Sequence, residues 1–266
     1  MTGGAGAGVN PVPIRAASAT VCAVTTAPPA NGHALLDFNS PLSDAKSYDL
    51  IASLAPLTGG TVVDYGCGWA ELLLRAVEHE PGATALGVDS DERAIERGRA
   101  NVEARGLGGR VRLDLADVTT WEAPPADAVI SMGASHAWGG TRATLDAMRS
   151  RLKPGGRLLL GDGFWAAEPN ARTLETFDRD EFEPLDGLVD LALAAGFRLL
   201  NLTTATSDEW DSFESRWCAS RERWLLEHPD HPEADEVRAI VDEHRDGWLK
   251  GYRGVLGFAY LTLVRR

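Results

Sequence analysis

The feature that most restricts the fold is an alternation. Short apolar runs ended by glycine or polar residues take turns with longer stretches whose apolar residues recur at helical period. Strands are expected at Thr61–Tyr65, Ala85–Asp89, Val111–Leu115, Ala128–Met132, Arg157–Gly161, Phe197–Thr204 and Leu256–Val264. Helices are expected at Trp69–His79, Asp91–Arg105, Thr141–Leu152 and Glu181–Ala195. Each helix runs into a stop: Pro81-Gly82, Gly106, Pro154-Gly155 and Gly196. Strands and helices in this order build a parallel sheet covered by helices.

Two stretches stand outside the alternation. Residues 1–32 are mostly Gly, Ala, Thr, Val and Pro with Arg15 as the sole charged side chain, so they have little to bury and much entropy to lose; they are expected to be a disordered tail. The folded part is then 33–266. Residues 207–253 form a long helical insertion between the last two strands, with 13 acidic and 7 basic residues and four of the 8 tryptophans. Trp210, Trp217 and Trp224 are spaced by sevens with Phe213 between them, which on a helix makes one stripe. Such a stripe is either the buried face of a packing helix or, in part, the wall of a substrate cavity.

Charge and cysteine usage narrow the class of partner. Asp+Glu number 39 against 26 Lys+Arg, a formal charge of -13, the wrong sign for binding phosphates over a broad surface. Nucleic acid is therefore not expected as partner. Cys22, Cys67 and Cys218 are odd in number and lack any CxxC spacing, which fits a reducing compartment. No secretory leader and no run of about twenty apolar residues is found, so a cytoplasmic protein without a membrane partner is expected. The sequence leaves the oligomeric state open.

The local pattern richest in chemistry is Val62-Val63-Asp64-Tyr65-Gly66-Cys67-Gly68-Trp69-Ala70-Glu71, a strand entering a glycine turn and then a helix. Gly66 and Gly68 permit close backbone approach to a ligand. Gly87-Val88-Asp89 follows about twenty residues on, where a carboxylate at the end of the second strand can accept from both ribose hydroxyls of an adenosine. That geometry suits NAD as well as S-adenosylmethionine. A dinucleotide site has a third glycine at the position where Glu71 stands. An acid in the first helical turn repels a pyrophosphate but is harmless beside a sulfonium and an ammonium. Asp64 points the same way, as an acceptor for an amino group.

In these residues the chain resembles the class I S-adenosylmethionine-dependent methyltransferases, from about His33 onward. Asp64-Tyr65-Gly66-Cys67-Gly68 is similar to that family's glycine loop and Asp89 to its ribose-binding acid. Leu115-Ala116-Asp117-Val118 resembles the element whose acid contacts the adenine amino group. Ala128 to Gly133 resembles the fourth strand, and Leu152-Lys153-Pro154-Gly155-Gly156-Arg157-Leu158 the turn before the fifth. A narrower resemblance, to bacterial small-molecule methyltransferases, rests on the lead-in Phe38-Asn39-Ser40-Pro41-Leu42-Ser43 and the aromatic-rich region before the last strand. The resemblance implies an α/β fold: a Rossmann-like, seven-stranded doubly wound sheet with its last strand antiparallel. It further implies S-adenosyl-L-methionine as cofactor, a small-molecule acceptor, and cofactor contacts from Asp64, Gly66, Gly68, Asp89 and Ser90. Ala116, Asp117, Val118 and Met132 complete that expected set.

Methyl transfer from a sulfonium is an in-line displacement, so the protein mainly aligns the partners and sheds water. Residues after strand carboxyl ends face the crevice of such sheets. His136, after the fourth strand, is the candidate base, or else a structural or solvent histidine. Asp162, after the fifth, could orient an amine or a protonated base, or cap a turn. Trp138 either packs on substrate or anchors its loop; Trp165, Trp210 and Tyr252 are expected on the acceptor side. If the sixth strand runs parallel to its neighbours, 207–253 emerges above the site as a lid. His228 and His231 lack a third ligand, and no catalytic metal is expected. Two rivals remain at this level: an NAD(P)-dependent oxidoreductase, and a non-catalytic S-adenosylmethionine-binding protein.

Overall fold

The computed structural model describes residues 28–29 and 32–266, so the tail expected over 1–32 lies outside the described residues save for Pro28, Pro29 and Gly32. After a short 3-10 turn at His33–Leu35 comes a helix that the sequence pattern did not announce, α1 (Asp44–Ser53), whose first turn is capped by the Ser43 hydroxyl accepting from Lys46 N. There follow β1 (Thr61–Tyr65), α2 (Glu71–His79), β2 (Thr84–Asp89), α3 (Glu92–Ala104), β3 (Val111–Leu115), β4 (Ala126–Met132), α4 (Thr141–Arg151) and β5 (Leu152–Trp165). The second half holds α5 (Leu185–Ala194), β6 (Phe197–Thr204), α6 (Ser207–Glu227), α7 (Ala234–Asp246), one π-helical turn (Gly247–Tyr252) and β7 (Leu256–Arg265).

The seven strands lie in the order β3-β2-β1-β4-β5-β7-β6. β1 to β5 are mutually parallel, and β7 runs antiparallel to both of its neighbours. Alternate residues of each central strand feed opposite faces. Val62, Ala128 and Leu159 meet Leu50, Leu73 and Ile95 of α1 to α3. Val63, Val129 and Leu160 meet Leu145, Met148 and Leu188 of α4 and α5. Burial on both faces is what makes parallel strands read as continuous apolar runs.

Two element boundaries differ from expectation for local reasons. β5 extends well beyond Arg157–Gly161, because β7 pairs with it continuously from Arg157↔Val264 to Trp165↔Leu256. α5 starts at Leu185 rather than Glu181, since Pro184 sits at its N-cap and Arg179–Glu181 forms a separate turn closed by the Asp178–Glu181 capping box.

Within the sheet β6 pairs only with β7, yet two antiparallel steps make it parallel to β5, so it ends at the same edge as β1, β4 and β5. The inserted helices therefore emerge at that edge. Their tryptophan stripe is divided among three packing clusters: Trp224 with Leu225, Ala234 and Val237; Trp217 with Leu36 and Trp69; Trp210 with Trp165, Trp248 and Tyr252. The packing-helix reading describes the stripe.

The lead-in before α1 is tied to the start of α6. Ser43 donates to Glu209 from its hydroxyl (2.6 Å) and its amide (3.2 Å), and Lys46 pairs with Glu209 while also donating to Thr204 O at 2.7 Å. Thr206 and Glu209 close a capping box on α6. Burial alone would raise the Glu209 pKa, but the bonds from Lys46, Ser43 and Thr206 outweigh it and hold this carboxyl below the ordinary glutamate value of 4.5. A depressed carboxyl contributes stability above its unfolded pKa and loses it as pH falls through the folded one. Glu209→Gln should thus cost about 1–2 kcal/mol at neutral pH. Urea denaturation should show the gap between wild type and variant closing as pH drops below that value.

Candidate active site

The turn from β1 into α2 holds its two glycines in left-handed backbone, and at the first of them it has no room for a side chain. Gly66 and Gly68 sit at φ +79° and +53°, and a Cβ on Gly66 would lie 2.5 Å from the Ala134 methyl. At Gly68 a Cβ would meet nothing within 4 Å, so this stretch of backbone faces open space. The turn is stitched to the tip of β2: Gly66 N and Cys67 N donate to Val88 O at 2.9 and 3.0 Å, and Gly68 N to Asp89 Oδ2 at 2.7 Å.

The open space is a cavity of about 540 Å³ along the carboxyl edge of the sheet. Of the residues expected to hold the cofactor, Asp64, Gly66, Gly68, Asp89, Ser90, Asp117, Val118 and Met132 line it. Ala116 does not; its amide instead donates to Asp89 O, which sets the spacing of the β2 and β3 tips. Asp64 is 3% exposed and its Oδ1 has no hydrogen-bond partner among the described residues. Burial, reinforced by the nearby Asp89 charge, pushes its pKa well up. An arriving N–H or ammonium donor would satisfy that oxygen.

Asp89 uses one lone pair of each oxygen internally, on Gly68 N and on Asp91 N at 2.9 Å, leaving further acceptor capacity on both. Asp117 accepts from Thr119 at Oδ1, first by the hydroxyl and then by the amide, and these bonds hold it below the usual aspartate range. It therefore stays an anionic acceptor at the far end of the cavity. Burial pushes the Cys67 thiol well up, with the charges of Asp64 and Asp89 adding to the effect, so Cys67 is no thiolate nucleophile.

His136 lies on the Ser135–Trp138 turn after β4, exposed and on the cavity wall. Asp162 does not reach the cavity. It is 2% exposed and accepts from Ser135 Oγ (2.9 Å), Thr141 Oγ1 (2.6 Å) and Gly163 N (2.9 Å), so it fastens the His136 turn to β5. The expected orienting role toward an acceptor is corrected to this anchoring one.

Trp138 likewise turns away from the cavity, packing edge-on against Tyr65 and under the Arg151 guanidinium. Trp165, Trp210 and Tyr252, expected on the acceptor side, instead gather in an aromatic cluster with Phe177, Phe182 and Trp248, off the cavity wall. Tyr252 is further held by donating to Glu214 at 2.9 Å.

Several wall residues escaped the sequence reading: His33, Asn39, Ser40, Leu42 and Trp69. The lead-in motif Phe38–Ser43 was their one visible trace. Trp69 is held by donating to Asp37 O at 2.6 Å, with Arg97 over its ring. Among the described residues no group of three or more His, Cys, Asp or Glu could hold a metal ion, and no helix is long and apolar enough to cross a membrane.

A glycine-turn cavity on this sheet order, with acids at the tips of β1 and β2 and just after β3, defines the class: the protein is an S-adenosylmethionine-dependent methyltransferase with the Rossmann-like methyltransferase fold. Residues 62–156 match a methyltransferase domain family. The chain is 27% identical over 235 residues to the uncharacterized protein YjhP of Escherichia coli (strain K12), covering 86% of this chain and 94% of that one. It resembles a SAM-dependent methyltransferase from Geobacter sulfurreducens, solved with S-adenosyl-L-homocysteine, at TM-score 0.81 and 25% identity over 88% of this chain and 96% of that one. A SAM-dependent methyltransferase from Thiobacillus denitrificans, solved with the same compound, gives TM-score 0.79 and 25% identity with the same coverage of both chains.

Removing the Asp162 carboxylate should leave three donors without their acceptor. Asp162→Ala is expected to lower unfolding free energy by about 2–3 kcal/mol in urea titrations.

Proposed function

We propose that this methyltransferase acts on a small-molecule acceptor, with the cofactor laid across the tips of β1, β2 and β3. The observation that carries the reading is the buried, unpartnered Asp64 oxygen beside the open Gly68 backbone and the Asp89 carboxylate. In this reading Asp64, Gly66 and Gly68 take the amino-acid portion, Asp89 and Ser90 the ribose, and Asp117 with Val118 the adenine amino group and ring. Met132 closes the wall behind. S-adenosylmethionine supplies a methyl carbon on a positively charged sulfur, which leaves with the C–S electron pair as the acceptor's lone pair forms the new bond.

The chain's own residues then need only align the acceptor, exclude water and, where the nucleophile carries a proton, remove it. His136 is the group on the cavity wall suited to that last task, and Asp162 fixes the turn that carries it. Residues 207–253 act as the lid over the site, since they leave the sheet at the cavity edge and pack Trp217 against Leu36 and Trp69.

Asp89→Ala should weaken S-adenosylmethionine binding at least about tenfold in calorimetry, the loss expected when charge-assisted bonds to a ligand are removed. Unchanged affinity, with a cooperative melt showing the variant folded, would remove the ribose assignment. His136→Ala should lower methyl-transfer turnover with hydroxyl acceptors by about a hundredfold. Its cofactor affinity should hold; wild-type turnover would return His136 to a bystander.

A further inference from the structure

A second, smaller chamber of about 250 Å³ adjoins the main cavity and shares Phe38, Ser40 and Leu42 with it as a common wall. It lies between the lead-in and the first turns of α6. Its body is apolar, formed by Leu36, Phe38, Leu42 and Phe213. The charges on its rim are not balanced. Arg216 is paired with Asp37, and Glu209 with Lys46, which leaves Asp208 with no side-chain hydrogen bond or ion pair among the described residues. Next door, Asp64, Glu71, Asp89, Asp91 and Asp117 line the main cavity with no lysine or arginine beside them on its wall. Glu71 is neutralised by Arg75 and Arg105 from outside, whereas Asp89, Asp91 and Asp117 have no ion pair among the described residues.

We propose that this second chamber holds the methyl acceptor, and that the acceptor is an apolar molecule bearing a positively charged nitrogen; the proposal rests on the methyl-transfer reading of the main cavity. Four apolar side chains suit a hydrocarbon or aromatic body; the Phe38 ring already carries the Arg75 guanidinium at 4.7 Å, so the Phe213 ring is the aromatic face left for the acceptor's cation. Asp208 supplies the free countercharge at the rim. A carboxylate or phosphate acceptor would enter a field set by uncompensated carboxylates, with every cation on the chamber wall already engaged. Ser40 and Leu42 line both chambers, so an acceptor body in the second chamber lies beside the main cavity, and an ammonium there must give up its proton before the nitrogen lone pair can take the methyl group.

The test uses the full-length protein saturated with S-adenosylhomocysteine and titrated by calorimetry with hexylamine, or with hexanoate as the anion of equal length. Hexylamine should bind at least about tenfold tighter than hexanoate. Ser212→Trp, which fills the chamber from an exposed position on α6, should abolish hexylamine binding and leave S-adenosylhomocysteine affinity unchanged. Asp208→Asn should weaken hexylamine about threefold, as expected for a partly exposed charge. Hexanoate binding as well as hexylamine, neither probe binding, or full hexylamine affinity in Ser212→Trp overturns the chamber assignment alone. Failure of the wild type to bind S-adenosylhomocysteine overturns the methyl-transfer reading, and this proposal with it.

Discussion

The hydrogen bonds that pin the β1–α2 turn onto the tip of β2 are what the rest of the site depends on. Val88 O takes two amides from the turn and Asp89 takes a third, so the spacing between the first two strand tips is set by main-chain geometry. Left-handed backbone at Gly66 and Gly68 makes this possible, and Ala70 follows at φ +61°. An L-residue held there costs about 1 kcal/mol. Strain of that kind persists where surrounding structure over-determines it, and here Ala70 is buried while Trp69 is clamped between Asp37 O and Arg97. The turn is thus preorganised, and a ligand meets it without paying to order it.

The opposite wall is built from parts far apart in sequence. The lead-in is held by Tyr260 donating to Pro41 O, by the Glu209 contacts with Ser43 and Lys46, and by Arg97 donating to His33 O and Leu36 O. Behind it, the insertion has its own polar core. Glu214 is 2% exposed and accepts from Tyr252 and from His244, whose ring stacks on Trp217 at 3.6 Å. Helix α6 therefore carries one rigid face toward the lead-in and another toward α7 and the π-helical turn.

Every strand and four of the helices were legible in the sequence, because burial on both faces and glycine or proline stops leave strong local marks. One wall of the main cavity was legible as well, since a turn that needs positive φ demands glycine and Asp89 stands at the end of its strand. The opposite wall was not. Helix α1 carries few apolar residues at helical period, and its cap, Ser43, lies inside a segment whose interest came from resemblance. Trp138, Trp165, Trp210 and Tyr252 are aromatic residues placed near the edge by topology, yet side-chain direction decides whether such residues line a cavity or pack a cluster. They pack. The lining of the second chamber joins Leu36 to Arg216 across a contact that periodicity cannot show.

Asp64 and Asp162 make the general point sharper. Both carboxylates lie on central parallel strands, both are nearly inaccessible, and burial raises the pKa of both. Composition and position do not distinguish them; hydrogen-bond satisfaction does. Asp162 accepts from three donors supplied by the fold, which accounts for its burial without any ligand. Asp64 has an oxygen with no donor within the described protein, on the wall of the main cavity. Leaving a buried acceptor unpaired costs about 1–3 kcal/mol, and more if the group is charged. A fold with no use for that oxygen could discard the cost by a single change to an apolar residue, as its neighbours Val62 and Val63 already are. The unpaired carboxylate is therefore best understood as an acceptor held ready for a donor that the protein does not itself contain.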